Sequence, residues 1–445
     1  MTDPSVTERT LFGTDGVRGR ANSELTVDLA VGLARAAGRM TDLPVAIGRD
    51  PRRSSPMLAA ALMAGFNSVG VDVVDLGIVP VGAVSRLGRD IDAGFGVMVS
   101  ASHNPAEDNG IKFFGRNGTK LSDEEEAAIE AAYRSGRPAG VPVGSAVGIQ
   151  TVMTDATERY VDRLAATVRY SMRGLEFVVD CANGAAFRAA PLLFDKVGAT
   201  VEIINDEPDG MNINDRCGAT RPETVAAAAR GRVGLAFDGD ADRLIAVDED
   251  GAVVDGDVLM AIFANWLHEQ GRLQNDTVVV TVMSNLGFHE AMRSIGVEVI
   301  QTAVGDRYVL GAMRRTRAVI GGEQSGHVLL EDRTTGDGLR TALRLMEVMA
   351  ATGRELRELR TVMTVYPQVL RNVEVADKDR LGDDAEIAAA IADGERTLGD
   401  RGRILVRASG TEPLVRVMVE APSEEQAARV ADSIAEVVAR RIGRP

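Results

Sequence analysis

Residues 95–105 read Phe95-Gly96-Val97-Met98-Val99-Ser100-Ala101-Ser102-His103-Asn104-Pro105. The first five are apolar, too few for a helix, and they end at a polar loop, so they read as a buried strand. The chain before them repeats the theme. Residues 44–48 form a short apolar run, residues 54–69 are Ala- and Leu-rich with helical spacing, and residues 71–76 are apolar again. Strands alternating with helices predict βαβ units and an α/β sheet.

The alternation recurs twice more at a loose spacing of about 100 residues, the scale of a domain rather than of a solenoid repeat. The second round predicts strands at 177–180, 201–204, 233–237 and 244–247, with helices at 160–168 and 185–194. The third predicts helices at 258–270 and 288–295, with strands at 277–282, 297–300 and 319–320. After Pro367 the order changes to strand 373–375, helix 385–398, strands 404–406 and 415–419 and an amphipathic helix over 423–441. Ser423 reads as its N-cap, and Glu424 and Glu425 suit the positive end of the helix dipole. Residues 134–148, rich in Gly, Pro and Ser, read as a linker near the first domain boundary. The expected domains are 1–150, 151–255, 256–368 and 369–445. The fold class is α/β, with three similar mixed-sheet domains and a smaller α+β C-terminal domain.

Composition narrows the function. The 445 residues carry 50 Lys and Arg against 65 Asp and Glu, a net charge of −15. So acidic a chain is a poor general binder of nucleic acid or anionic membrane, although local basic loops can still hold a small anion. Two cysteines in this length fit a reducing compartment and argue against a disulfide scaffold. The first residues lack the apolar stretch of a signal peptide, and no apolar run approaches the ~20 residues that span a bilayer. A cytoplasmic location is expected.

Four loops carry chemistry. Asp238-Gly239-Asp240-Ala241-Asp242-Arg243 lies between two apolar runs. Carboxylates at alternate positions of a tight loop can converge on a hard cation such as Mg²⁺. An EF-hand also begins this way and would place Glu249 at its twelfth position, but it needs Gly where Arg243 stands. A solvated acidic turn is the other alternative. Ser102 at a strand end is placed for nucleophilic chemistry with His103 beside it, unless the loop is a plain turn. Arg407-Ala408-Ser409-Gly410-Thr411-Glu412-Pro413, with Arg416 beyond, combines guanidinium groups, hydroxyls and a backbone nest suited to phosphate, or forms an ordinary hairpin turn. Gly321-Gly322-Glu323-Gln324-Ser325-Gly326-His327 offers donors and acceptors for sugar hydroxyls, or is a polar connector; His327 titrates in the useful range. Arg18 sits in a glycine-rich N-terminal loop taken as flexible. Lys112 reads as a phosphate contact, a desolvated proton shuttle or a surface lysine.

Together these loops resemble the α-D-phosphohexomutase family, over nearly the whole chain and in the family's order. The opening Phe12-Gly13-Thr14-Asp15-Gly16-Val17-Arg18-Gly19, Asn212-Ile213-Asn214, Cys217-Gly218, Gln324 and Val304-Gly305-Asp306-Arg307-Tyr308 point to its branch acting on glucosamine phosphate. Ala241 departs from the Gly of many members and is expected to add only a methyl group.

The resemblance implies four domains around a central cleft, each giving one loop. It implies a phosphoryl group on Ser102, and Mg²⁺ on Asp238, Asp240, Asp242 and a phosphoserine oxygen. Glu323 and Ser325 would bind sugar hydroxyls. Arg407, Ser409, Gly410, Thr411 and Arg416 would hold the distal phosphate, with Arg18 and Arg243 as further substrate contacts. Lys112 and His327 are the candidates for proton transfer, and His103 shapes the phosphoserine site. The expected reaction interconverts glucosamine 6-phosphate and glucosamine 1-phosphate for amino-sugar and peptidoglycan synthesis, primed by a hexosamine or hexose 1,6-bisphosphate. A phosphomannomutase/phosphoglucomutase activity, a Mg²⁺-dependent sugar phosphatase and a non-catalytic phosphosugar-binding protein are the alternatives. Expected partners are small phosphosugars, with neither nucleic acid nor membrane, and the chain is a monomer or homodimer.

Overall fold

The strand Phe95–Val99 is buried at every residue. It pairs parallel with Val45–Arg49 on one side and antiparallel with Asp108–Gly115 on the other, and a strand covered on both faces reads as a continuous apolar run. In the computed structural model the described residues are 11–13, 15–136, 140–331, 334–409 and 413–444. They fall into two units, residues 1–283 with 297–361 and residues 284–296 with 362–445.

The first unit holds three mixed sheets. The first runs, in spatial order, Val17–Arg20, Asp108–Gly115, Phe95–Val99, Val45–Arg49, Val73–Ile78 and Gln150–Val152. Its last strand pairs parallel with Val73–Ile78. The stretch read as a linker therefore returns to the edge of the first sheet; its start, Arg134-Ser135, is the end of the helix Asp123–Ser135. That helix begins at a capping box, Ser122 with Glu125. The second sheet runs Val253–Val254, Leu244–Val247, Val233–Phe237, Glu176–Asp180 and Thr200–Ile204. The third runs Glu298–Thr302, Thr277–Thr281, Gly321–Gly322 and Val328–Leu329. Residues 319–320 precede their strand because the pairing falls on two glycines, and a Cβ on Gly321 would meet Val279 O at 2.8 Å and Met313 Sδ at 2.7 Å.

In the second unit an antiparallel sheet, Gln368–Glu374, Leu414–Glu420 and Arg403–Ala408, carries the helices Ala385–Leu398 and Glu424–Ile442. The Ser423 hydroxyl caps the last helix by accepting from Gln426 N at 3.2 Å. The first strand is seven residues long rather than three; its alternating buried and exposed positions hide the strand from a search for apolar runs. The crossover helix Leu286–Ser294, flanked in sequence by strands of the third sheet, belongs to this second unit. Asn285 binds both polar groups of the Tyr366 backbone, and Glu420 accepts from Leu286 N at 3.0 Å. Among the described residues no helix is long and apolar enough to cross a membrane.

Candidate active site

Two loops meet in the first unit. One leaves Phe95–Val99 and carries Ser102; the other joins Val233–Phe237 to Leu244–Val247 and carries Asp238, Asp240 and Asp242. A Cβ on Gly239 would lie 2.4 Å from Ser102 O, so only glycine allows this approach. Ser102 is buried, and its Oγ donates to Asp238 Oδ2 at 2.5 Å. His103 Nδ1 lies 3.4 Å from the same Oγ.

The ligand atoms of Asp238, Asp240 and Asp242 all lie within 4.8 Å of one another, in a group that can hold a metal ion. Asp240 Oδ1 and Asp242 Oδ1 are buried without a hydrogen-bond partner among the described residues. A hard cation satisfies such oxygens, so the donor set fits one. Glu249 is elsewhere engaged, accepting from Leu356 N and Arg357 N at 3.0 and 2.9 Å. With strands on both flanks as well, the EF-hand alternative fails. Ala241 holds φ at +57° and is buried. The departure from Gly is therefore more than a methyl: the left-handed conformation costs a non-glycine residue roughly 1–2 kcal/mol.

Cations of the fold surround the carboxylates. Lys112 is buried, 2.8 Å from Asp240 Oδ2, 3.4 Å from Asp242 Oδ2 and 3.0 Å from Asp15 Oδ2; the surface-lysine alternative fails. Lys120 bridges Asp15 and Asp306, the latter at 2.8 Å. His327 lies between Asp242 (3.5 Å) and Asp306 (3.4 Å).

Burial alone would lower the pKa of Lys112 and of His327. The carboxylates overcome it, holding Lys112 firmly protonated and raising His327 to about 10. Gly336 N also points at His327 Nε2, at 3.2 Å, which favours a neutral ring. The two buried carboxylates push the other way, towards the protonated ring. Burial and then the neighbouring carboxylates raise Asp238 and Asp240, whereas Lys112 and His327 overcome burial to hold Asp242 well below the usual range. His103 is depressed to about 4 by burial and then by Arg243 and Arg18, and is neutral.

The remaining first-unit residues lie about this centre. Arg243 N donates to Asp238 Oδ1 at 3.1 Å, while its buried Nε has no hydrogen-bond partner among the described residues. Ser325 Oγ donates to Glu323 Oε2 at 3.3 Å, and Glu323 Oε1 accepts from Gly305 N at 3.2 Å. Arg18 is not on a flexible loop. It lies in the strand Val17–Arg20, with Nη1 on Ala101 O and Asn104 Oδ1 at 3.3 Å and Nη2 on Asp15.

In the second unit Arg407 and Arg416 are cross-strand partners. Burial and the Arg416 charge lower the pKa of Arg407. Ser409 is buried at the end of this strand, and its backbone N donates to Leu414 O at 2.8 Å. Gly410 and Thr411 lie outside the described residues.

The arrangement matches known proteins at the level of the whole chain. Profiles of the phosphoglucomutase/phosphomannomutase family match four times in succession: alpha/beta/alpha domain I over residues 9–139, domain II over 158–251, domain III over 255–366 and the C-terminal domain over 370–437. The chain belongs to this family. A curated relative named phosphoglucosamine mutase, from Clavibacter michiganensis, is 52% identical over 97% of this chain and 99% of its own. The crystal structure of a phosphoglucomutase/phosphomannomutase family protein from Burkholderia thailandensis covers 96% of this chain and 97% of its own, at 27% identity and a TM-score of 0.81. The N-acetylphosphoglucosamine mutase of Aspergillus fumigatus, solved with GlcNAc-6P and magnesium, has the same fold, at 21% identity, a TM-score of 0.70 and coverage of 96% and 95%.

Membership of the phosphoglucomutase/phosphomannomutase family does not by itself point to Asp15, Lys120 or Asp306. Motif reading missed their roles because each is an ordinary charged residue, and they meet only in space. Asp15 and Asp306 do lie inside the family-like stretches 12–19 and 304–308, which is the signal the sequence carries.

Proposed function

We propose that this chain is a phosphoglucosamine mutase, interconverting glucosamine 6-phosphate and glucosamine 1-phosphate through a phosphoserine at Ser102. The observation that carries the reading is the Ser102 hydroxyl set 2.5 Å from a three-carboxylate cluster. A full-length relative of that name at 52% identity supports the substrate. The reaction makes the chain an isomerase, and a cytoplasmic location with a part in amino-sugar and peptidoglycan precursor metabolism goes with that reading.

The phosphoryl group leaves Ser102 Oγ as its P–O bond breaks, and a new P–O bond forms to the sugar O1. The O1 proton is released and the Ser102 oxygen takes one up. The 1,6-bisphosphate turns over, and its 6-phosphoryl group returns to Ser102 by the reverse exchange. A hexosamine or hexose 1,6-bisphosphate primes the unmodified serine. Asp238, Asp240 and Asp242, with a phosphoserine oxygen, would hold Mg²⁺, which when bound offsets charge on the transferring group.

The protonation states divide the roles. His103 is neutral, and its ring nitrogen can accept the Ser102 proton. Lys112 and His327 carry their protons and donate to a leaving sugar oxygen or stabilise its charge. Arg243 Nε and Arg18 Nε, both buried without a hydrogen-bond partner among the described residues, turn to the phosphates. Glu323 and Ser325 bind the sugar hydroxyls. Arg407, Ser409, Gly410, Thr411 and Arg416 hold the distal phosphate.

³¹P NMR of the purified protein with Mg²⁺ and a trace of hexose 1,6-bisphosphate tests this. Glucosamine, glucose and mannose 6-phosphates are offered separately. Fastest conversion of the glucosamine compound is expected, and it disappears in Ser102→Ala. Faster glucose or mannose turnover moves the substrate, and inorganic phosphate as the main product overturns the mutase reading.

A further inference from the structure

Between the strand Val45–Arg49 and the helix Ser55–Asn67 lie Asp50 and Arg52, both fully buried. A guanidinium has five N–H donors, and Arg52 makes five hydrogen bonds. Nε donates to Asp50 Oδ2 at 2.8 Å. Nη1 donates to Asp108 O at 3.2 Å and to Pro105 O, and Nη2 donates to Ser102 O at 3.0 Å and Asn104 O at 2.8 Å. Three of these carbonyls belong to the loop that carries Ser102, and the fourth, of Asp108, opens the strand that follows it.

Asp50 organises the other side. Its Oδ2 also accepts from Ser100 Oγ at 2.6 Å, and that Oγ accepts from Ser102 N at 3.0 Å. The N–H of Ser102 is thus held through Ser100 and its C=O through Arg52, both anchored on one carboxylate. Asn214 adds a second donor to Ser102 O, at 2.9 Å. Between these grips Ser102 holds φ at +53°, which a serine rarely adopts. An ion pair that only filled the core would not gather its donors on the carbonyls of one loop, that of Ser102 among them.

We propose that Asp50, Arg52, Ser100 and Asn214 are positioning residues that lock Ser102 in its left-handed conformation and so aim its Oγ at the carboxylate cluster for phosphoryl transfer. This rests on the reading of Ser102 as the phosphoryl carrier. Such strain at a reacting residue persists only when surrounding contacts over-determine it, and a displacement of about 1 Å can slow a reaction roughly 10²-fold.

The test begins by charging the Mg²⁺-loaded enzyme with labelled glucose 1,6-bisphosphate. The rate at which the Ser102 phosphoryl group passes to glucosamine 6-phosphate is then followed in a single turnover. Arg52→Lys keeps a charge beside Asp50 but cannot span four carbonyls, and transfer is expected to slow about 10²-fold. Ser100→Ala and Asn214→Ala each remove one grip and are expected to slow transfer about 10-fold, a single hydrogen bond's worth. Ser100→Thr keeps the oxygen and restores the rate.

KM for the sugar phosphate stays at its wild-type value throughout. Val45→Ala, a core truncation in the same sheet, lowers Tm without slowing transfer. Should Arg52→Lys fail to fold, the Ser100 and Asn214 variants decide the matter alone. Wild-type transfer in both, or rates that only track Tm, overturns the positioning role. A wild-type enzyme that takes up no label at Ser102 overturns the reading of the site, and this inference with it.

Discussion

The carboxylate cluster of the first unit and the arginine pair of the second are both concentrations of like charge, handled in opposite ways. Asp238, Asp240 and Asp242 are surrounded by Lys112, His327 and Arg243, which offset their repulsion within the fold. Arg407 and Arg416 oppose each other on neighbouring strands, and burial and Arg416 both push the Arg407 pKa down. The first site is preassembled around a position for one cation among several. The second sets its like charges opposite each other across two strands.

Five measurements break or sharpen that contrast. Lys112→Met removes the main internal counter-charge and leaves buried carboxylates unpaired, a loss of about 3–5 kcal/mol in metal-free stability. Thermal melts with and without Mg²⁺ should show a low Tm that the ion restores by a wider margin than in wild type; an unchanged Tm refutes the compensation. Asp240→Asn should cost ~10²–10³ in kcat and abolish the Mg²⁺ dependence; a wild-type metal titration removes Asp240 from the site. Arg407→Ala should lower kcat/KM by about 10–100-fold, the worth of a charge-assisted hydrogen bond, with the Mg²⁺ titration intact. The same change relieves a cross-strand repulsion worth about 0.2–1 kcal/mol, so a marked fall in Tm contradicts the stored repulsion.

Ala241→Gly trades left-handed strain against unfolded-state entropy and should stabilise by about 1 kcal/mol or less, read by denaturant unfolding. The last effect is on acid stability. In the second unit burial, Arg403 and Arg293 hold His289 down to about 4. Its unfolded value is higher, about 6.5, so the unfolded state binds the proton first. The contribution is present above about 6.5 and is lost as pH falls towards 4. His289→Gln should flatten that limb of the Tm profile; an identical slope excludes His289.

Contiguity decided what was legible. The helix Ala385–Leu398 coincides with its reading because one turn of apolar spacing follows another along the chain. Ser102 and the three aspartates stood out because each loop carries its signal within a few residues. Arg52 gave no such signal: its carbonyl acceptors lie 50 or more positions away, and a buried arginine looks like any other in a sequence. The strain at Ala241 was equally hidden, because φ is imposed by the loop around it.

The sequence by itself determined the alternation of strands and helices, the α/β class and the loops singled out as candidates for chemistry. These follow from periodicity, turn chemistry and residue type, all local properties. Only the tertiary structure decided which of Lys112, His327 and His103 carry protons, and that Arg18 and Arg52 brace the serine loop. Protonation and hydrogen bonding depend on distance and dielectric, and folding sets those between residues as far apart in sequence as Asp15 and Asp306.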